Sequence, residues 1–286
     1  MDERAVLQIV ALISCSASVL VVLTLVLFRD MRHKIFMRII AYISIADFFG
    51  NFSYVFLNRP DNHSISCQFQ GFCNTYFYPV SWVWTTILMY FLYSLASTGK
   101  LPLSERTSHL IGWGLPFVLA VIVLTTNSYS RFIDDDNTEV CTLGPDNLSA
   151  FIWRLVLYYC FFALCVLVML VWYYQIDVLQ RRGTSAVSAR TLNFARNSLQ
   201  LYPLAMSVCW FPEFVGFFLQ FIAANDDYYD FTMNLRVCNG TLTALIFFWK
   251  SPTAREYWFN LLTRGETSEY MCYLSTLAHA VSCSLL

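Results

Sequence analysis

Leu155–Tyr174 reads LVLYYCFFALCVLVMLVWYY, an unbroken run of apolar and aromatic residues without a charge. A helix needs about 20 such residues to cross the hydrocarbon core of a bilayer. This stretch therefore decides the solvent in which the chain folds. It belongs to a longer apolar segment, Ala150–Tyr174, and six others of similar length fill most of the chain: Ala5–Phe28, Ile39–Leu57, Phe72–Ser97, Leu110–Thr126, Ser198–Ala224 and Phe231–Trp249. None has the polar face that a helix in water would keep. The reading is an all-α membrane protein, a bundle of seven transmembrane helices.

Composition agrees, with 57% hydrophobic and 13% charged residues against about 25% charged in soluble domains. The formal net charge of −1 points to no nucleic-acid partner. Only Met1–Arg4 precede the first run, which is too long for a signal-peptide core. It is read as a retained first helix with no ligand-capturing domain before it. Residues 1–265 then form one seven-helix domain, including a short amphipathic helix after the seventh span, and residues 266–286 a short cytoplasmic tail. Within that helix Tyr257, Trp258, Leu261 and Leu262 are expected to face lipid.

The basic residues set the orientation. Arg29, Arg32, Lys34, Arg38, Lys100, Arg106, Arg181, Arg182, Arg190, Arg196, Lys250, Arg255 and Arg264 lie in alternate connections and the tail, 13 of the 18 lysines and arginines. Positive charge stays on the cytoplasmic side, so the C-terminus is expected in the cytoplasm and the N-terminus outside. The sequons at Asn62 and Asn147 then fall outside as glycosylation candidates, whereas Asn51 and Asn239 also fit the pattern but lie within spans. The plasma membrane is the expected location.

Charges inside spans are costly and mark functional or structural hubs. Asp47 stands in the second span, with Asn51 and Ser44 nearby as hydrogen-bonding neighbours. Arg154, Glu213 and Arg236 occupy the outer halves of the fifth, sixth and seventh. They read either as the lining of a ligand cavity, the arginines meeting an anionic group, or as a structural ion pair between Glu213 and one arginine. Trp210 is counted with them as a candidate ligand-binding residue; it also precedes Pro212 by two positions, a bulky ring beside a helix kink, and that pair reads as a hinge. At the outer end of the third span Cys67 and Cys73 both lie within reach of a disulfide to Cys141 in the following outer loop; Cys67 is favoured. Catalytic signatures are missing. None of the four histidines lies within a span, there is no phosphate-binding glycine loop, and no cofactor or metal is expected. A retinal-binding lysine midway along the seventh span is also absent, the nearest being Lys250 at its inner end.

These features together resemble the cyclic-AMP-receptor-like family of G-protein-coupled receptors, in its slime-mould-type and plant-type members. The matching stretches are Tyr42–Asp47 (YISIAD), Cys67 with Trp84-Thr85, Trp113-Gly114-Leu115-Pro116, Trp153-Arg154 with Tyr158-Tyr159, Tyr202-Pro203-Leu204 leading to Trp210, and Phe248-Trp249-Lys250-Ser251-Pro252. They cover about residues 1–262. The resemblance implies a receptor with a ligand held by residues such as Arg154, a switch involving helix six and the Ser251-Pro252 step, and a heterotrimeric G protein engaged by Arg181, Arg182, Arg190 and Arg196. Gly216-Phe217 stands where that group carries Asn-Arg, so one cationic ligand contact of the group is missing. The inner end of the third span reads Leu92-Tyr93-Ser94-Leu95 and lacks the Asp-Arg-Tyr element of rhodopsin-like receptors. A seven-helix transporter or channel, or a membrane scaffold, are the alternative readings.

Overall fold

A computed structural model describes residues 3–56, 64–100, 104–126, 128–133, 139–143, 148–188, 196–219 and 226–264. Nearly all of this is helix. Among the described residues five helices are long and apolar enough to cross a membrane: α1 (Glu3–Leu27), α2 (Ile35–Phe56), α3 (Ile65–Thr98), α4 (Glu105–Thr125) and α5 (Leu148–Arg181). They are followed by α6 (Leu201–Leu219), α7 (Asp226–Val237), α8 (Asn239–Lys250) and α9 (Pro252–Arg264). The seventh apolar run is two helices that meet at Cys238, whose N–H turns back to Asn234 and Leu235. At 12 residues and about 1.5 Å per residue, each half is roughly 18 Å long, and only together do they approach membrane thickness.

Helix α3 is the central post. Ser64 caps its first turn, the hydroxyl accepting from the Cys67 N–H at 3.2 Å, and Gly99 closes it at φ 70 with its N–H on Leu95. Both signals lie outside the apolar run, so the helix starts earlier than hydropathy alone indicates. Its 34 residues make a rod of roughly 51 Å, longer than the hydrocarbon is thick, which requires tilt or projection. Trp82, Trp84, Leu88, Phe91 and Leu92 along it are all but inaccessible, so these tryptophans are core rather than interface anchors. Its polar members turn inward on the backbone: Thr75 and Thr85 hydroxyls donate to the carbonyls of Gly71 and Ser81 at 2.7 and 2.8 Å.

Around this post α1 packs against α2 on one side and α8 on the other, while α5 and α4 lean on α3. Large apolar side chains point away from the bundle on its flanks, among them Ile9 and Leu12 of α1, Val118 of α4, Leu167 of α5 and Leu245 of α8. Cys160 also faces outward, unlike the buried thiols Cys15, Cys165 and Cys209.

Two strands were not legible in the hydropathy. β1 (Tyr129–Ile133) and β2 (Glu139–Leu143) pair antiparallel, with Tyr129 opposite Leu143 and Arg131 opposite Cys141. Tyr129, Cys141 and Leu143 share one face of this hairpin and are buried on α3. Gly71 makes the seat: a Cβ there would stand 2.5 Å from the Tyr129 ring.

The expectation for α9 needs correcting. Tyr257 stacks on Phe28 at 4.7 Å and donates to Asp30 at 2.9 Å, and Trp258 Nε1 donates to Thr24 at 2.8 Å. Both rings therefore clasp the end of α1, because each carries a polar atom that finds a partner there. Leu262 does point outward as expected, and Phe259 joins it there. The stretch 265–286 lies outside the described residues.

Candidate functional site

Three polar layers cross the bundle. The first is at the disulfide end, where Cys67 of α3 is bonded to Cys141 of β2, leaving Cys73 free and buried. Beside the bond, the buried Gln70 side chain acts as a clamp that sequence reading missed. Its Oε1 accepts the Cys141 N–H at 2.7 Å and its Nε2 donates to the Ser53 carbonyl at 3.3 Å, tying hairpin, α3 and α2 together. Burial in the same layer pushes the Tyr129 phenol up from its ordinary pKa.

Deeper in the bundle lies the charged layer. Arg236 of α7 is 5% exposed and Glu213 of α6 is 8% exposed. Arg236 Nη1 donates to both Glu213 carboxylate oxygens at 3.0 and 3.1 Å, and Nη2 donates to the Tyr54 hydroxyl of α2 at 2.8 Å. The guanidinium also lies over the rings of Tyr78 and Trp210, at 5.3 and 5.4 Å. A single arginine thus joins α2, α3, α6 and α7. Its Nε and the nearby Trp82 Nε1 are buried donors that meet no acceptor among the described residues.

The local sequence explains why these groups converge. Pro212 in α6 has no N–H to give the preceding turn, and it sits directly before Glu213. In α5, Arg154–Cys160 winds as a π-helix, widening the turn so that Leu157, Tyr158 and Tyr159 are all buried in succession. Arg154, half-buried, opens that segment and meets Tyr159, whose phenol also feels Glu213. Trp210 packs edge-on against Tyr78 and Trp82 at 4.8 and 4.7 Å. The residual space, lined by Tyr158, Tyr159, Phe162, Trp210, Glu213 and Phe214, is a narrow crevice without room for a water molecule. Ligand sites run from about 300 to 1,000 Å³, so α5 and α6 must part to admit a ligand of ordinary size.

The third layer surrounds Asp47. Its carboxylate accepts from Asn239 Nδ2 of α8 at 2.9 and 3.1 Å, a partner that the sequence reading, looking to Asn51 and Ser44, did not identify. Asn51 turns elsewhere: Nδ2 donates to Ser14 Oγ and the Val237 carbonyl, and Oδ1 accepts from the Tyr78 hydroxyl at 2.8 Å. Tyr78 therefore couples the two layers, its ring against Arg236 and its hydroxyl on Asn51. Gly240 lets α8 approach this closely, since a Cβ there would meet Ser14 and Ser18 hydroxyls at 2.6 Å.

At the opposite end the arginines differ in freedom. Arg181 and Arg196 both pair with Asp177, at 2.7 and 3.2 Å. Arg181 remains largely exposed, whereas Arg196 is folded back on Gln180 and the Tyr173 ring rather than projecting as a docking residue. Arg182 is exposed. Ser251 and Pro252 form a helix start: the Ser251 hydroxyl accepts the Ala254 N–H at 3.3 Å, and Pro252 opens α9 where a missing N–H does no harm. Arg190, Asn62 and Asn147 lie outside the described residues.

The comparisons with known proteins accord with this architecture. G-protein coupled receptor 157 of Homo sapiens is 26% identical over 161 residues, covering 54% of this chain and 48% of the relative. Cyclic AMP receptor-like protein C of Dictyostelium discoideum is 27% identical over 217 residues, 65% of this chain and 55% of the relative. G-protein coupled receptor 1 of Arabidopsis thaliana is 27% identical over 121 residues, 42% and 36% respectively. The chain spans about half the length of the first two. Both the slime-mould and the plant-type resemblance drawn from the motifs are thus present. The model of one family, the 7 transmembrane receptor (Secretin family), matches residues 2–230, from the start of α1 into α7. With most of its length so matched, the chain belongs to the secretin family of seven-transmembrane receptors.

Proposed function

We propose that this protein is a G-protein-coupled receptor of the plasma membrane. It spans the bilayer seven times, α7 and α8 together making the seventh crossing, with the disulfide end outside and the arginine-rich end in the cytoplasm. A small extracellular ligand bearing hydrogen-bond acceptors or negative charge enters between α5 and α6 at the disulfide end. Binding shifts the bundle to a form that engages a heterotrimeric G protein through the opposite end, Arg181 and Arg182 included. No catalysis is part of this reading.

The observation that carries it is the buried Glu213–Arg236 pair. It ties α6 to α7 beside the Pro212 kink, in a chamber whose remaining buried polar atoms include the donors Arg236 Nε and Trp82 Nε1. Acceptors on a ligand would satisfy those donors, and Arg154 at the edge supplies further positive charge. A ligand favours the active bundle only to the extent that it binds that bundle more tightly. Competition for Arg236 gives such a difference, because it weakens the tie between α6 and α7.

The test is nucleotide exchange on purified heterotrimeric G proteins by the full chain in lipid vesicles. The panel would hold cyclic nucleotides, small phosphates and carboxylates. Exchange stimulated by an anionic member and lost in Arg154→Gln is expected. No exchange with any G-protein class, together with solute flux across the same vesicles, would replace the receptor reading with a transporter.

A further inference from the structure

The described residues contain a second cavity that the receptor reading leaves unused. A groove of about 480 Å³ opens between α5 and α6 in the half nearer the arginine-rich end, with Met89 of α3 as its floor. Its walls are apolar, and Leu170 of α5 and Leu204 of α6, 59% and 58% exposed, form its outward lips. In a membrane-spanning bundle such an opening faces acyl chains, not water.

The end of the groove is polar and positive. Tyr173 lines it, and the Arg196 guanidinium lies 5.0 Å over the Tyr173 ring while Nη2 donates to the Tyr173 hydroxyl at 2.8 Å. Arg181 and Arg182 follow at the end of α5. Against these three guanidinium groups the stretch Gln175–Arg182 offers one carboxylate, Asp177, already shared by Arg181 and Arg196. Positive charge is therefore left over at the mouth. One turn from Arg196, Gln200 also lines the groove, and its Oε1 is a buried acceptor that no donor reaches among the described residues. The helix itself breaks there: Gln200 is a turn residue before α6, and Pro203 withholds the N–H that would bond the preceding turn.

We propose that this groove is a binding site for an anionic phospholipid of the adjoining leaflet. One acyl chain fills the space between Leu170 and Leu204, the phosphate rests on Arg196 with Arg181 and Arg182 behind it, and a headgroup hydroxyl donates to Gln200. Apolar walls ending in a surplus of arginine match an amphiphile with a negative head, and match neither a soluble anion nor a zwitterionic lipid as well. The site lies beside the break that begins α6, so its occupant braces α5 against α6. It depends on the bundle being embedded in a bilayer, not on which ligand the disulfide end takes.

Native mass spectrometry of the purified full chain tests this, with phosphatidylinositol and phosphatidylcholine offered at equal amounts after delipidation. The expected result is one tightly retained phosphatidylinositol and no comparable phosphatidylcholine. Leu170→Trp, which fills the groove, removes that retention. Arg196→Gln, which leaves the apolar walls intact, weakens it about fivefold. Equal retention of the two lipids overturns the proposal, as does undiminished phosphatidylinositol binding in both folded variants.

Discussion

At the Glu213–Arg236 pair two charges are taken out of water and are tolerable only together. Removing one leaves the other buried and uncompensated, which costs about 3–5 kcal/mol in folded proteins. Glu213→Gln and Arg236→Gln are therefore each expected to lower the thermal midpoint of the detergent-solubilised chain by many degrees. The double variant should be less destabilised than the two losses added, because neither then strands a charge. Strict additivity would mean the pair is not coupled. Asp47 is different: its partner is the neutral Asn239 amide, so Asp47→Asn keeps an acceptor and should cost far less than Asp47→Leu. These partnerships were only partly legible in the sequence. Hydropathy exposes a charge within a span, because an unpaired one is so costly, and that singled out Asp47, Arg154, Glu213 and Arg236. Which atoms meet depends on helix rotation, set by packing contacts such as Gly240 against Ser14 and Ser18. Gln70 carries no charge and so gave no signal, although it holds three elements together.

Among the elements, α3 and the β1–β2 hairpin form one unit closed by Cys67–Cys141 across 74 positions. Bridges of this kind contribute about 2–5 kcal/mol when removed from native domains. Cys67→Ser and Cys141→Ser should each slow migration on a non-reducing gel and reduce surface yield, while Cys73→Ser leaves both unchanged. Altered mobility in Cys73→Ser and Cys141→Ser, with Cys67→Ser unchanged, would mean that the bond joins Cys73 to Cys141. Helix existence was plain in the apolar runs, but their limits were not. Ser64 and Gly99 define α3 through caps outside the apolar stretch, and the break at Cys238 lies within one. The hairpin was invisible because its alternating face, Tyr129, Cys141 and Leu143, is too short to stand out in a chain already rich in apolar residues.

For the whole molecule the decisive question is the side on which each end of the bundle lies. The covalent bond and the crevice beside Trp210 lie toward one end; Arg38, Arg181, Arg182 and Arg196 lie toward the other. Anionic phospholipids and the insertion machinery hold basic connections on the cytoplasmic side, so the second end is expected there. Arg182→Cys adds a thiol at an exposed position near the end of α5. In cells expressing the full chain, a membrane-impermeant maleimide should label this variant above the wild-type background only after permeabilisation. Asn147→Gln should in the same cells remove one glycan's worth of mass, as its sequon adjoins the N-terminal end of that same helix. The two ends of α5 are thereby read independently. Labelling of Arg182→Cys on intact cells would reverse the bundle, and the chamber around Arg236 would then open to the cytosol, where an extracellular ligand has no access to it.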